Sequence, residues 1–172
     1  MPHTPAHPRY YTVISHALGG VVLEGSATHL EYVYCRDTSR IARSRMAAAQ
    51  EVSPSAAQAP VWMEEAVAKV TAFLRGEPVD VCTIAHRVPC GTAFQRRVWQ
   101  ALQAIPRAQV RSYAQVAECI GMPKAVRAVA NACGANPLPL LIPCHRVVRH
   151  DGSLGGFGWG RDWKRHLLIQ ES

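Results

Sequence analysis

Two four-residue segments, Thr92-Ala93-Phe94-Gln95 and Ser112-Tyr113-Ala114-Gln115, most constrain how this chain can fold. In each, a hydroxyl can accept from the backbone N–H of the glutamine three residues on, whose side chain can reach back. Each therefore marks a helix N-terminus. Phe94, Val98, Trp99, Leu102 and Ile105 follow at helical spacing, and Pro106 stops that helix. From Ser112 the next helix turns Val116, Ala117 and Ile120 inward and ends at Gly121. Pro123 suits the first turn of a third, running from Lys124 to about Cys133. Two short helices around Gly121-Met122 make a helix-turn-helix, a motif of DNA-binding proteins and of many others.

The first half reads differently. Tyr10 to Ser15 and Val21 to Glu24 flank Leu18-Gly19-Gly20 as a hairpin, and Leu30 to Cys35 is a third strand. Thr38 to Gln50 has helical composition, and Glu51 to Pro60 reads as a loop. Pro60 opens a helix with Trp62, Val67, Val70, Phe73 and Leu74 as its apolar positions, ended by Gly76. Val79 to Ile84 is expected as a short strand, and His86 to Gly91 as a linker. The expectation is an α+β domain over 1–86 and a mostly helical domain over 87–172.

Charge divides at the same place. Up to His86 there are 7 Lys and Arg against 8 Asp and Glu; from Arg87 onward, 12 against 4. The whole excess of +7 thus lies in the second half, which suits a polyanionic partner. The sequence has no apolar run of the ~18 residues that a membrane span needs. The opening Met1-Pro2-His3-Thr4-Pro5 lacks a secretory pattern, so the six cysteines are expected as reduced thiols in a cytoplasm. Cys119 and Cys133 fall at apolar helical positions and read as packing residues. Cys82, His86 and Cys90 recur every fourth residue, but nothing completes a set of four metal ligands.

Chemistry concentrates in Ile142-Pro143-Cys144-His145-Arg146-Val147. A thiol is nucleophilic when ionised, and a neighbouring base or positive field promotes ionisation. His145 can take the proton, and Arg146, Arg149 and His150 add positive field. The apolar lead-in Asn136 to Leu141 would present one reactive residue. These residues alone also allow a buried structural cysteine.

Taken with Gly91 to Gln95, Val98-Trp99, Ser112-Tyr113, Arg127-Ala128-Val129, Asn136-Pro137 and Leu167 to Glu171, this segment resembles the O6-alkylguanine-DNA alkyltransferases, or methylated-DNA–protein-cysteine methyltransferases. The motifs stand in the family's order, strongly from Gly91 to Glu171 and by general layout before it. The alkyltransferase portion of bacterial adaptive-response proteins is most similar.

The resemblance implies a ribonuclease H-like first domain and a winged helix-turn-helix-like second one. It implies direct repair of DNA. An alkyl group would pass irreversibly and stoichiometrically from O6 of guanine, and from O4 of thymine, to Cys144. His145 would draw the thiol proton through a water and Glu171 would orient His145. Tyr113 would contact the base or its 3′ phosphate, Arg127 would fill the place of the flipped base, and Asn136 would pin the turn before the active segment. Val147, Phe157 and Gly158 would line the substrate pocket, in the Gly155 to Gly160 wall for the last two. The partner is double-stranded DNA holding O6-alkylguanine, bound by a monomer, with no cofactor, metal or membrane. Because a thioether is a poor leaving group, one reaction per molecule is expected. Three departures stand out: Ala108 for a usual glycine, Phe157 for a tyrosine, and Asp162-Trp163-Lys164 for an Arg-Lys pair. They are expected to leave the nucleophile and its base untouched. Other readings of the same residues are a non-enzymatic damage binder, a cysteine hydrolase and a transcription regulator.

Overall fold

The computed structural model describes residues 8–37 and 42–172. The lead-in before Pro8 and the start of the Thr38 to Gln50 segment lie outside the described residues. The hairpin forms as its pattern requires. β1 (Tyr10–Ile14) and β2 (Val21–Gly25) pair antiparallel, and β3 (Leu30–Cys35) continues the sheet beside β2. Gly19 turns the hairpin at φ 120°, a conformation that strains residues with a Cβ. Among the described residues α1 covers Ala42–Ala47. The chain then extends, and Gln50–Glu51 adds β4 parallel to β1, giving the order β3-β2-β1-β4. α2 (Met63–Leu74) buries Met63, Ala66, Val70, Phe73 and Leu74, with Trp62 buried just before it.

Val79 to Ile84 is not a strand. The Asp80 carboxylate accepts from Cys82 N at 2.9 Å and winds Val81–Thr83 into a 3-10 turn. A local side-chain acceptor here competes successfully with sheet pairing. The linker is also more ordered than composition suggests. Arg87 N donates to Leu30 O at 2.9 Å, so the chain leaves the first half along the edge of β3.

Both capping boxes are made. Thr92 and Gln95 open α3 (Ala93–Gln103), and Ser112 and Gln115 open α4 (Tyr113–Cys119). β5 (Arg111–Ser112) pairs parallel with β6 (Val147–Val148) just ahead of α4. Gly121 turns the chain at φ 69°. Pro123–Ala125 forms a 3-10 turn, and α5 (Val126–Gly134) follows. α6 (Arg161–Glu171) closes the chain. Cys119 is exposed, so it is not the packing residue its spacing suggested; Cys133 is half-buried against the core.

One hydrophobic core joins the two halves, with Leu23, Val33, Trp62 and Phe73 of the first against Leu102, Leu141 and Trp163 of the second. Backbone and side-chain bonds cross the same boundary: Val33 N to Pro137 O at 2.9 Å and Trp163 Nε1 to Leu18 O at 2.9 Å. The sheet also buries two carboxylates, Glu24 and Glu31. A buried charge persists only when paired. Arg45 forks onto Glu24 at 2.7 and 2.8 Å, Arg9 bridges Glu24 and Glu31 at 2.7 and 2.8 Å, and Arg87 reaches Glu31.

Ala108 holds φ 61°, a conformation that a glycine would occupy without strain. An L-residue there costs roughly 1–2 kcal/mol, partly offset because glycine loses more entropy on folding. Ala108→Gly is therefore expected to raise the unfolding free energy by about 0.5–1 kcal/mol in urea titrations. A lower stability in the variant would show that the turn carries no such strain.

Candidate active site

The site is built where the Asn136 to Val148 segment passes between α3, α5 and α6. Pro137 to Val148 is buried apart from Arg146, which keeps partial exposure. Leu140 sits at φ 80°, an uncommon conformation for a branched side chain and one held only by its surroundings. Cys144–Arg146 forms a 3-10 turn. The Asn136 amide pins this turn: Nδ2 donates to Ile142 O at 2.8 Å and to Cys144 Sγ at 3.2 Å, while Oδ1 accepts from Leu138 N at 3.0 Å.

Cys144 opens onto a cleft of about 320 Å³ between α5, Tyr113 and the Gly156-Phe157-Gly158 wall, with Cys133 also on its surface. Gly155 lies so close to Tyr113 that a Cβ there would meet the phenol oxygen at 3.1 Å. Val147, expected in the pocket lining, is fully buried in β6 and does not line this cleft; its carbonyl accepts from Lys164 Nζ. Arg127 is exposed on α5.

His145 is wholly buried, and its Nε2 lies 3.0 Å from Glu171 Oε1. A carboxylate can only accept, so Nε2 carries the hydrogen and Nδ1 keeps the lone pair. Nδ1 has no protein partner among the described residues. Glu171 is also held by Arg146, from Nε to Oε2 at 2.9 Å and from Nη2 to Oε1 at 2.8 Å. Burial alone would raise the Glu171 carboxyl, but His145 and Arg146 outweigh it and bring it down to about 2. Burial lowers His145, against the pull of Glu171. At rest the pair is a neutral imidazole beside an anionic carboxylate.

The cations that follow Cys144 in sequence do not ionise its thiol. Burial pushes Cys144 up, and the Asn136 bond and the Lys164 charge only partly oppose this. Arg146 faces Glu171 rather than the sulfur, while Arg149 and His150 are exposed. The resting group is therefore a protonated thiol.

Lys164, among the departures expected to leave the nucleophile and its base untouched, bonds neither of them but is fully buried close enough for its charge to act on Cys144. Its Nζ donates to Val147 O and, at 3.2 Å, to Gly156 O, tying α6 to the cleft wall. Burial lowers it to about 8, and the fields of Cys144 and Cys133 act the other way. Lys164, Leu167 and Glu171 share one helix face, so their spacing beside Trp163 was the signal that could have exposed it. Phe73, an apolar position of α2, also reaches the site: its ring meets the His145 ring edge-on, 6.2 Å between centroids. Cys82, His86 and Cys90 do not converge. Cys82 Sγ donates to Leu141 O, and His86 Nδ1 lies 2.7 Å from Ile84 O.

A family model described as "6-O-methylguanine DNA methyltransferase, DNA binding domain" matches residues 93–172. A methylated-DNA–protein-cysteine methyltransferase of Methanosarcina acetivorans is 35% identical over 165 residues, 94% of this chain and 97% of that protein. The chain belongs to the methylated-DNA–protein-cysteine methyltransferase family. The solved O6-methylguanine methyltransferase of Mycobacterium tuberculosis superposes on this family member with a TM-score of 0.81 at 33% identity, covering 95% of this chain and 92% of that one. The bifunctional transcriptional activator and DNA repair enzyme Ada of Escherichia coli is 47% identical over 125 residues. That match takes in 72% of this chain and only 35% of the longer protein.

Proposed function

We propose that this chain repairs alkylated DNA by moving the alkyl group from O6 of guanine, and also from O4 of thymine, to Cys144 Sγ. One observation carries the reading: the sulfur faces a cleft sized for a small ligand and lies beside a histidine whose free Nδ1 is poised by a buried carboxylate. As the carbon–sulfur bond forms, the carbon–oxygen bond to the base breaks. The thiol proton passes through a water to His145 Nδ1, and Glu171 stabilises the resulting imidazolium. The base departs as an anion that can accept a hydrogen bond from the Tyr113 hydroxyl, which burial keeps protonated by pushing it up to about 12, and it then takes a proton from water as the His145 imidazolium returns one to solvent. The thioether stays on the protein, so each molecule acts once and needs no cofactor.

The base must leave the duplex to reach so buried a sulfur. We assign α5, the second helix of a winged helix-turn-helix in residues 87–172, to the minor groove. The small side chains of α5 allow close approach there, and Arg127 fills the vacated stack. Residues 1–86, ribonuclease H-like in this reading, support that unit. The protein works as a monomer in the cytoplasm. Limiting protein mixed with excess O6-methylguanine duplex is expected to remove one methyl group per molecule and then stop. Continued removal beyond that ratio would overturn a stoichiometric transfer.

A further inference from the structure

We propose that Arg146 is a positioning residue for the transfer, fixing both the orientation of Glu171 and the proton affinity of the His145–Glu171 pair. This rests on the alkyl-transfer reading above. All three guanidinium nitrogens are engaged. Nε and Nη2 grip the two oxygens of Glu171, and Nη1 donates to Ile105 O at 2.6 Å. The planar fork is thus bolted to the end of α3 and holds the carboxylate in one plane, with Oε1 shared between Nη2 and His145 Nε2. A lysine could supply the charge but not the fork.

The charge has a separate effect. The groups acting on His145 are Glu171 and Lys164 from α6 and Arg146 from its own turn, with Cys144 adjoining it in sequence and the Phe73 ring packed against it from α2. Glu171 favours the imidazolium; Arg146 and Lys164 oppose it. Removing the Arg146 cation leaves the buried pair one positive charge poorer, so it binds a proton more tightly, whichever partner carries it. Arg146 therefore adds to burial, the larger cause, in keeping Nδ1 free to accept the thiol proton at neutral pH. A residue that only packed would change stability without moving this titration.

The test is a ring-labelled histidine NMR titration of the full chain, with single-turnover methyl transfer from O6-methylguanine duplex followed across pH. In Arg146→Met, the pair is expected to titrate higher by on the order of one pH unit, and the acid limb of transfer to move with it. Arg146→Lys should keep the wild-type titration but transfer roughly tenfold more slowly at every pH. A folded Met variant with unmoved titration overturns the electrostatic role. A Lys variant with wild-type rate overturns the fork. Should the wild type transfer no methyl at all, the functional reading fails, while the NMR titration still decides the electrostatic claim.

Discussion

Glu171→Gln is expected to slow methyl transfer by roughly 10²–10⁴-fold while changing the side chain's volume little. The carboxylate has two tasks that an amide cannot perform. In the proposed transfer it stabilises the imidazolium formed when His145 takes the thiol proton, and in the fold it neutralises Arg146, whose side chain is only 12% exposed. Leaving that cation without its anion costs about 3–5 kcal/mol by comparison with other buried pairs. The same variant reports on acid stability. The Glu171 carboxyl is depressed from 4.5 to about 2 in the folded protein, so its contribution is present above pH 4.5 and is lost as pH falls towards 2. That shift corresponds to about 3 kcal/mol. Urea titrations stepped down from pH 6 should show this loss in the wild type and its absence in the variant. Parallel pH profiles for the two proteins would mean that the carboxylate gains nothing from folding.

Trp163→Ala should cost roughly 3–5 kcal/mol, the range for emptying a large aromatic site. For a chain of this length that is on the order of a 10 °C fall in Tm. Trp163 is 2% exposed, with ring centroids 4.6 Å from His16 and 5.2 Å from Trp159. Its indole nitrogen donates to Leu18 O, so it joins the β1–β2 turn to α6. It also precedes Lys164, whose ammonium braces the cleft wall. The loss should therefore appear both in calorimetry and as slower transfer at a temperature where the variant is still folded. A Tm within about 2 °C of wild type would show that the indole is not a keystone of the shared core.

What could be read from the sequence was what is encoded locally. The β1–β2 hairpin, β3 and both capping boxes follow from contacts within a few residues. Val79 to Ile84 misled because its apolar composition hid the acceptor in Asp80. The buried Glu24 and Glu31 were invisible because their arginine partners lie 15 to 56 residues away. The same holds at the site. Cys144 and His145 announced themselves by adjacency, whereas Glu171 stood out only through family likeness, since 25 or 26 residues separate it from the groups it touches. The resting state of the thiol likewise depends on depth. Neighbouring cations suggested ionisation, but burial sets the direction, and depth is a property of the fold.

The central claim is that the Cys144 sulfur becomes the alkyl carrier. It is tested most directly by intact-mass measurement and peptide mapping after reaction with an O6-methylguanine duplex. The account predicts a gain of one methyl group, confined to the peptide bearing Cys144 and absent in Cys144→Ser. A methyl group found on Cys133 or elsewhere, or a repaired duplex beside an unmodified protein, would contradict it.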